Sequence, residues 1–177
     1  MMKATAPLLR CAAQEAEKRG MGLRDFAAWA YSHAEEEREH HRWYRDDLRA
    51  MGLDPDEIDQ GRPHPHILRL IDAQFALTAT RHPVAPLGFF YATECHTPNA
   101  NRLRAGARRL AIPAAGLRTM VFHTTADRRH REEILTLLAR YAPRRPCRAA
   151  MLASATEVFL RWSSFCKDLA ERAEGLV

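Results

Sequence analysis

The sequence has little glycine and no pattern typical of β-strands. Its 177 residues include only 8 glycines, and no stretch alternates between apolar and polar residues as a half-buried strand does. Alanine, arginine, leucine and glutamate, which favour helices, are frequent. Internal repeats and low-complexity linkers are also missing. We therefore predict an all-α protein with a single domain over residues 1–177.

Membrane and export signals are missing as well. No apolar run approaches the roughly 20 residues that span a bilayer, and the first 20 residues, MMKATAPLLRCAAQEAEKRG, lack a long apolar segment. None of the four cysteines forms a CxxC pair, which argues against a zinc ribbon or a thioredoxin-like motif. We expect a cytoplasmic protein with free thiols and no membrane partner.

Positive charge is concentrated in one part of the chain. The net charge is +5, and residues 101–150 hold 12 arginines against three acidic residues. Such a segment fits nucleic acid or an acidic partner. Because no nucleic-acid reader motif accompanies the charge, we favour solvated helix faces and do not expect a nucleic-acid partner.

Glycine, proline and acidic turn residues divide the chain into about six or seven helices. Gly20 and Gly52 end the first two, and Pro98 disturbs the end of the fourth. The stretch DPDEIDQGRPHPH is predicted to be a loop that exposes His64 and His66. The predicted helices span residues 4–19, 23–50, 66–80, 85–96, 99–110, 116–141 and 147–173.

Polar residues interrupt the inward faces of three predicted helices. In the second helix, the apolar stripe that begins at Phe26 carries His33, Glu37 and His40 at its centre. The i, i+3 spacing of Glu37 and His40 is the spacing used by helical bundles that hold two metal ions. Glu94 falls in phase with the apolar face of the fourth helix.

The stretch HTTADRRH places a similar set on the sixth helix. His123, Asp127 and His130 share one face, and Arg128 and Arg129 fall off it, so we expect both arginines to be solvated. Buried carboxylates without a cationic partner are costly. Two divalent metal ions would supply that charge, and mixed imidazole and carboxylate ligation suits iron or manganese. The alternative without a metal site is a set of ordinary core histidines and solvated acids.

The pattern resembles the heme-oxygenase-like diiron oxidases and oxygenases over about residues 23–141. The shared elements are His123-x3-Asp127-x2-His130, Glu94 in HPVAPLGFFYATE, and the early stretch HAEEEREHHRWYRDDLRAMG. The resemblance implies a heme-oxygenase-like helical bundle. It also implies two ferrous ions, or manganese, with dioxygen as co-substrate. The implied ligands are Glu37, His40, Glu94, His123, Asp127 and His130.

The resemblance further implies how the ligands and the substrate are arranged. One ion would take Glu37, His40 and one late-helix histidine, and the other ion would take Glu94, Asp127 and the second histidine. Relatives N-oxygenate amines, decarboxylate oxidatively or cleave carbon–carbon bonds of small acids and amino acids. We therefore expect a small-molecule substrate near the metals, close to Phe90, Tyr91, Tyr44 and Phe122.

Several alternatives stay open at the level of sequence. His33, Glu36 or His41 could replace a ligand from the early helix. A metal-free enzyme similar to thiaminases or to the cofactor-free quinone-forming oxidase, a heme oxygenase, and a non-catalytic helical binding protein are the competing functions. None of them explains six ligand-type residues in phase on three helices. A homodimer is also open, because helical bundles of this kind often dimerise.

Overall fold

A computed structural model describes residues 2–96 and 99–175 of the chain. Within these residues the protein is all-α, with two short 3-10 turns, Met21–Leu23 and Ala114–Leu117, and no strand. The predicted effect of Pro98 lies outside the described residues. The helices are α1 (Met2–Arg19), α2 (Arg24–Glu37), α3 (His40–Ala50), α4 (Pro55–Gln60), α5 (Pro65–Thr80), α6 (Pro86–Glu94), α7 (Ala100–Arg109), α8 (Arg118–Tyr141) and α9 (Arg145–Glu174).

The bundle is built on close helix pairs. α1 packs against α2, and both bury alanine-rich faces, which lets the two helices approach closely. α6 lies between α8 and α9 and contacts both. A Cβ atom added at Gly88 of α6 would lie 2.0 Å from the carbonyl oxygen of Met151 in α9, so glycine is required at this crossing.

Aromatic side chains fill the core next to the predicted ligands. Phe26 of α2 meets Tyr141 of α8 edge to face, with ring centroids 6.4 Å apart, and both rings are fully buried. Trp29 lies edge to face with Phe90 of α6 at 5.9 Å. The apolar core therefore joins α2, α6 and α8, the helices that carry most of the predicted ligands.

The predicted second helix is in fact two helices. α2 ends at Glu37 and α3 begins at His40, with a turn at Arg38 and Glu39. Glu39 N-caps α3 with φ −102° and ψ −6°, and the amide of Arg42 donates to its carbonyl at 2.9 Å. The sequence has neither glycine nor proline at this turn, so the usual signals of a break are missing.

The predicted loop after α3 was only partly correct. Asp54 accepts from the amide of Asp56 and caps the six-residue helix α4. The prediction that His64 and His66 are solvent-exposed was wrong, because both are half-buried. Their Nε2 atoms lie 3.4 Å and 3.5 Å from Oδ2 of Asp168 in α9.

Candidate metal centre

Four buried or half-buried ligand-type residues from three helices converge. α2 supplies His33 and Glu37, α6 supplies Glu94, and α8 supplies His130. Each offers a ligand atom, and these atoms all lie within 4.8 Å of one another. Oε1 of Glu94 is 3.4 Å from Nε2 of His33, and its Oε2 is 3.2 Å from Nδ1 of His130. This set of four residues is the His33 cluster below.

The other three predicted ligands lie beside the His33 cluster. Nδ1 of His40 is 2.8 Å from Oε1 of Glu37, and Nδ1 of His123 is 3.0 Å from Oδ1 of Asp127. The rings of His40 and His123 have centroids 4.8 Å apart. The same Oδ1 atom of Asp127 lies 3.8 Å from Nδ1 of His130. Glu37 and Asp127 thus connect His40 and His123 to the His33 cluster.

Several of these buried atoms lack a hydrogen-bond partner. The set includes Oε1 of Glu37 and one ring nitrogen each of His33, His40 and His123. Buried polar groups are normally satisfied, because leaving one unpaired costs about 1–3 kcal/mol. Imidazole nitrogens and carboxylate oxygens are also the donor set that iron and manganese accept. The residues present therefore fit a metal centre.

The carboxylates and histidines shift each other's protonation. Burial alone would raise the pKa of Glu94, but the hydrogen bonds and charges of His130 and His33 outweigh it and lower the pKa to about 2. Burial would lower the pKa of His130, but Glu94 and Glu36 raise it to about 9. Asp127 likewise raises the pKa of His123 against the effect of burial. In the metal-free protein at neutral pH, a protonated His130 therefore faces an ionised Glu94.

Comparison with known sequences identifies the family. The sequence model of a family described as iron-containing redox enzyme matches residues 5–163. The chain belongs to this family. The resemblance inferred from the ligand-type residues is therefore confirmed.

A solved structure shares the fold of this iron-containing redox enzyme. It is the crystal structure of a domain of unknown function with a heme oxygenase-like fold from Shewanella denitrificans, matched with a TM-score of 0.85. The identity is 20%, and the match covers 98% of this chain and 74% of that one. The predicted heme-oxygenase-like bundle is thereby confirmed. No functionally curated protein matches the chain.

A cavity of about 350 Å³ reaches the candidate metal centre. Glu37, Glu94, His123 and Asp127 form its polar wall. Among the described residues, no lysine or arginine lines it. Most of the remaining lining is apolar or aromatic, and it includes Phe89, Phe90, Ala92, Leu103, Met120 and Trp162.

Two of the four residues predicted near the substrate line this cavity, Phe90 and Tyr44. Burial, together with the charges of Glu37 and Asp127, raises the pKa of Tyr44 to about 12, so its hydroxyl keeps its proton at neutral pH. Tyr91 is half-buried, and its ring contacts His96. Phe122 is 47% exposed and packs against Trp43, with ring centroids 5.2 Å apart. Phe122 is not among the residues that line this cavity.

Sequence reasoning underestimated two residues of α2. His33 stood on the inward stripe one turn before Glu37, yet it was held only as an alternative ligand. Glu36 was also only an alternative, and its Oε2 lies 3.1 Å from Nε2 of His130. Arg129 is exposed, as predicted, and its guanidinium also forms an ion pair with Glu36. Arg128 is exposed, as predicted.

The third alternative, His41, lies outside the centre. Its Nδ1 lies 3.1 Å from the carbonyl oxygen of Arg38. It lines a separate cavity with basic side chains that include Lys3 and Arg10. His41 therefore serves as a histidine control next to His40.

Proposed function

We propose that this protein is a non-heme diiron enzyme that activates dioxygen to oxidise a small amine, amino acid or carboxylic acid. The observation that carries the proposal is the convergence of four histidines and three carboxylates from α2, α3, α6 and α8. The buried ring nitrogens and the Glu37 oxygen without hydrogen-bond partners support it. Iron supplies the electrons that reduce dioxygen when it is bound in such a centre.

The geometry favours two groups of ligands. His33, Glu94 and His130 would hold one ion, and His40, His123 and Asp127 would hold the other. Glu37 lies between the groups, because it belongs to the His33 cluster and also approaches His40 at 2.8 Å. This division moves Asp127 relative to the one that the family resemblance implies, assigns His130 to the ion of Glu94, and adds His33.

The cavity suggests how this chain handles the substrate. Its largely apolar lining favours a substrate with an apolar or aromatic part. Because no lysine or arginine of the described residues lines it, a substrate carboxylate would meet neither type of side chain inside. The neutral hydroxyl of Tyr44 can donate a hydrogen bond to a substrate oxygen or nitrogen.

The competing functions leave observations unexplained. A heme oxygenase needs one axial histidine and gives no role to the remaining histidines and carboxylates. A metal-free hydrolase or oxidase leaves one buried ring nitrogen of His33 and one of His123 without a hydrogen-bond partner. A scaffold role predicts that His123, Asp127 and His130 face solvent or pair with arginines, whereas none of them is exposed and both histidines lie against Asp127.

Anaerobic reconstitution with ferrous iron tests the proposal. We expect about two irons per chain, as in other two-metal helical bundles, and an optical change when dioxygen is added. His40→Ala should lower the iron content, whereas the control His41→Ala should not. An iron content at the level of a metal-free buffer control, or equal losses in the two variants, would overturn the proposal.

A further inference from the structure

The outer edge of the His33 cluster contains an acidic residue whose role the ligand set does not explain. We propose that Glu36, itself held by Arg129, is a positioning residue that fixes which nitrogen of His130 faces the metal centre. The inference rests on the proposed metal centre and adds to it a residue that touches no reacting atom. Its basis is the contrasting environment of the two ring nitrogens.

The two nitrogens of His130 point to different groups. Nδ1 lies 3.2 Å from Oε2 of Glu94 and 3.8 Å from Oδ1 of Asp127, on the side of the cluster. Nε2 lies 3.1 Å from Oε2 of Glu36, on the opposite side, and the guanidinium of Arg129 lies 3.5 Å from the same nitrogen. Glu36 is the nearer of the two groups. The ring is almost fully buried, so water does not compete for either nitrogen. A neutral imidazole that donates Nε2–H to Glu36 leaves the lone pair of Nδ1 for a metal ion.

Arg129 explains why Glu36 stays in place although its side chain is one-third exposed. The guanidinium of Arg129 contacts the same Oε2 atom that faces His130. Its Nε atom lies 3.8 Å from Glu133, and Glu133 accepts a hydrogen bond from Nε1 of Trp29 at 3.2 Å. Trp29 stacks on His33, with ring centroids 5.1 Å apart. A chain of contacts therefore links His130 to His33 through Glu36 and the three residues just described.

This arrangement has a chemical consequence for the centre. A carboxylate that accepts the outer N–H of a ligating histidine fixes the ring orientation and increases the basicity of the ligating nitrogen. Removing such a carboxylate typically lowers metal affinity by about 10- to 100-fold. The effect should be confined to the ion that His130 holds, because His40 and His123 do not contact Glu36 through any described interaction.

Titration of the full-length protein with cobalt(II), followed by calorimetry and visible absorption, tests the inference. We expect Glu36→Ala to weaken one of about two binding events by about 10- to 100-fold and to leave the other unchanged. Glu36→Gln keeps an acceptor oxygen and should retain part of the affinity. Arg129→Gln should weaken the same event to a smaller degree.

Matched controls are available next to both residues. Glu39→Gln and Arg128→Gln change exposed or surface-paired charges and should leave both binding events unchanged. If Glu36→Ala leaves both events unchanged or weakens both equally, the positioning role is overturned and the metal centre stands. If the parent protein binds no cobalt(II), the metal centre and the positioning role are both overturned.

Discussion

The carboxylate of Glu37 lies 2.8 Å from the imidazole of His40, across the turn that ends α2 and begins α3. Both side chains are buried. The two facing atoms, Oε1 and Nδ1, come this close without forming a hydrogen bond of acceptable geometry. A cation shared between them, as the proposed function requires, would satisfy both atoms.

Replacing Glu37 should affect both proposed ions. Glu37→Gln keeps the size of the side chain but removes the charge that Glu37 offers to both groups of ligands. We expect the iron content after anaerobic loading to fall by more than half, measured by metal analysis. The matched control is Glu35→Gln, which changes an exposed acid paired with Arg10. Equal iron contents in the two variants would contradict the shared role of Glu37.

The metal-free protein should be most stable in mildly acidic solution. The pKa of Glu94 is lowered from 4.5 to about 2, so its contribution to stability is complete above pH 4.5 and is lost as the pH falls to 2. The pKa of His130 is raised from 6.5 to about 9, so its contribution is complete below pH 6.5 and is lost as the pH rises through 9.

Urea unfolding in the presence of a chelator measures this dependence. The unfolding midpoint should be highest between about pH 4.5 and 6.5. Ferrous iron should shift the optimum to higher pH, because a metal ion needs the deprotonated imidazole. A metal-free protein that becomes steadily more stable from pH 6.5 to 9 would show that the Glu94–His130 pair does not form.

The crossing of α6 and α9 should not tolerate a side chain at Gly88. In Gly88→Ala the new Cβ meets the backbone of Met151, which cannot move as a flexible side chain does. We expect the free energy of unfolding to fall by about 1–3 kcal/mol, as in other overpacked cores. Gly106→Ala is the control, because a Cβ added there meets no atom within 4 Å.

The control should behave in the opposite way. Alanine in a helix is favoured over glycine by about 0.5–1 kcal/mol, so Gly106→Ala should stabilise the protein. Denaturant unfolding of both variants gives the comparison. If both variants lose the same stability, the close approach of α6 and α9 is not the cause.

Asp47 should hold α3 against the beginning of α8. Its buried carboxylate accepts a hydrogen bond from the backbone amide of Thr119 at 2.9 Å. Asp47→Ala leaves that buried amide without a partner and should cost about 1–3 kcal/mol of unfolding free energy. The exposed neighbour Asp46, which pairs with Arg49, is the control, and Asp46→Ala should change stability little. Thermal unfolding of the two variants measures the difference. Equal losses of stability in both would contradict the role of Asp47.

Helical periodicity predicted much of the centre. The inward stripes placed Glu94, His123 and His130 on faces that are indeed buried or half-buried. Periodicity also places His33 inward. The i, i+3 spacing of Glu37 and His40 already supplies two ligands from the early helix, so the sequence alone does not require His33 as a third. Phase along one helix therefore locates candidate ligands, while the distances between helices decide which of them meet.

The remaining features depend on contacts between distant parts of the chain. Glu36 lies off the best inward phase of α2, yet α8 crosses close enough for His130 to reach it at 3.1 Å. His64 and His66 are covered because Asp168, about a hundred residues later, lies against them. The turn at Arg38 and Glu39 contains neither glycine nor proline, the residues that usually indicate a break in a helix. Local sequence patterns carry no information about these three features.

Anomalous scattering from crystals loaded anaerobically with iron tests the central claim most directly. Data collected on either side of the iron absorption edge should show about two peaks per chain, as in other two-metal bundles. One peak is expected among His33, Glu94 and His130, and the other among His40, His123 and Asp127, with Glu37 beside both. Iron peaks found only elsewhere on the protein, or no peak in crystals of iron-treated protein, would contradict the account.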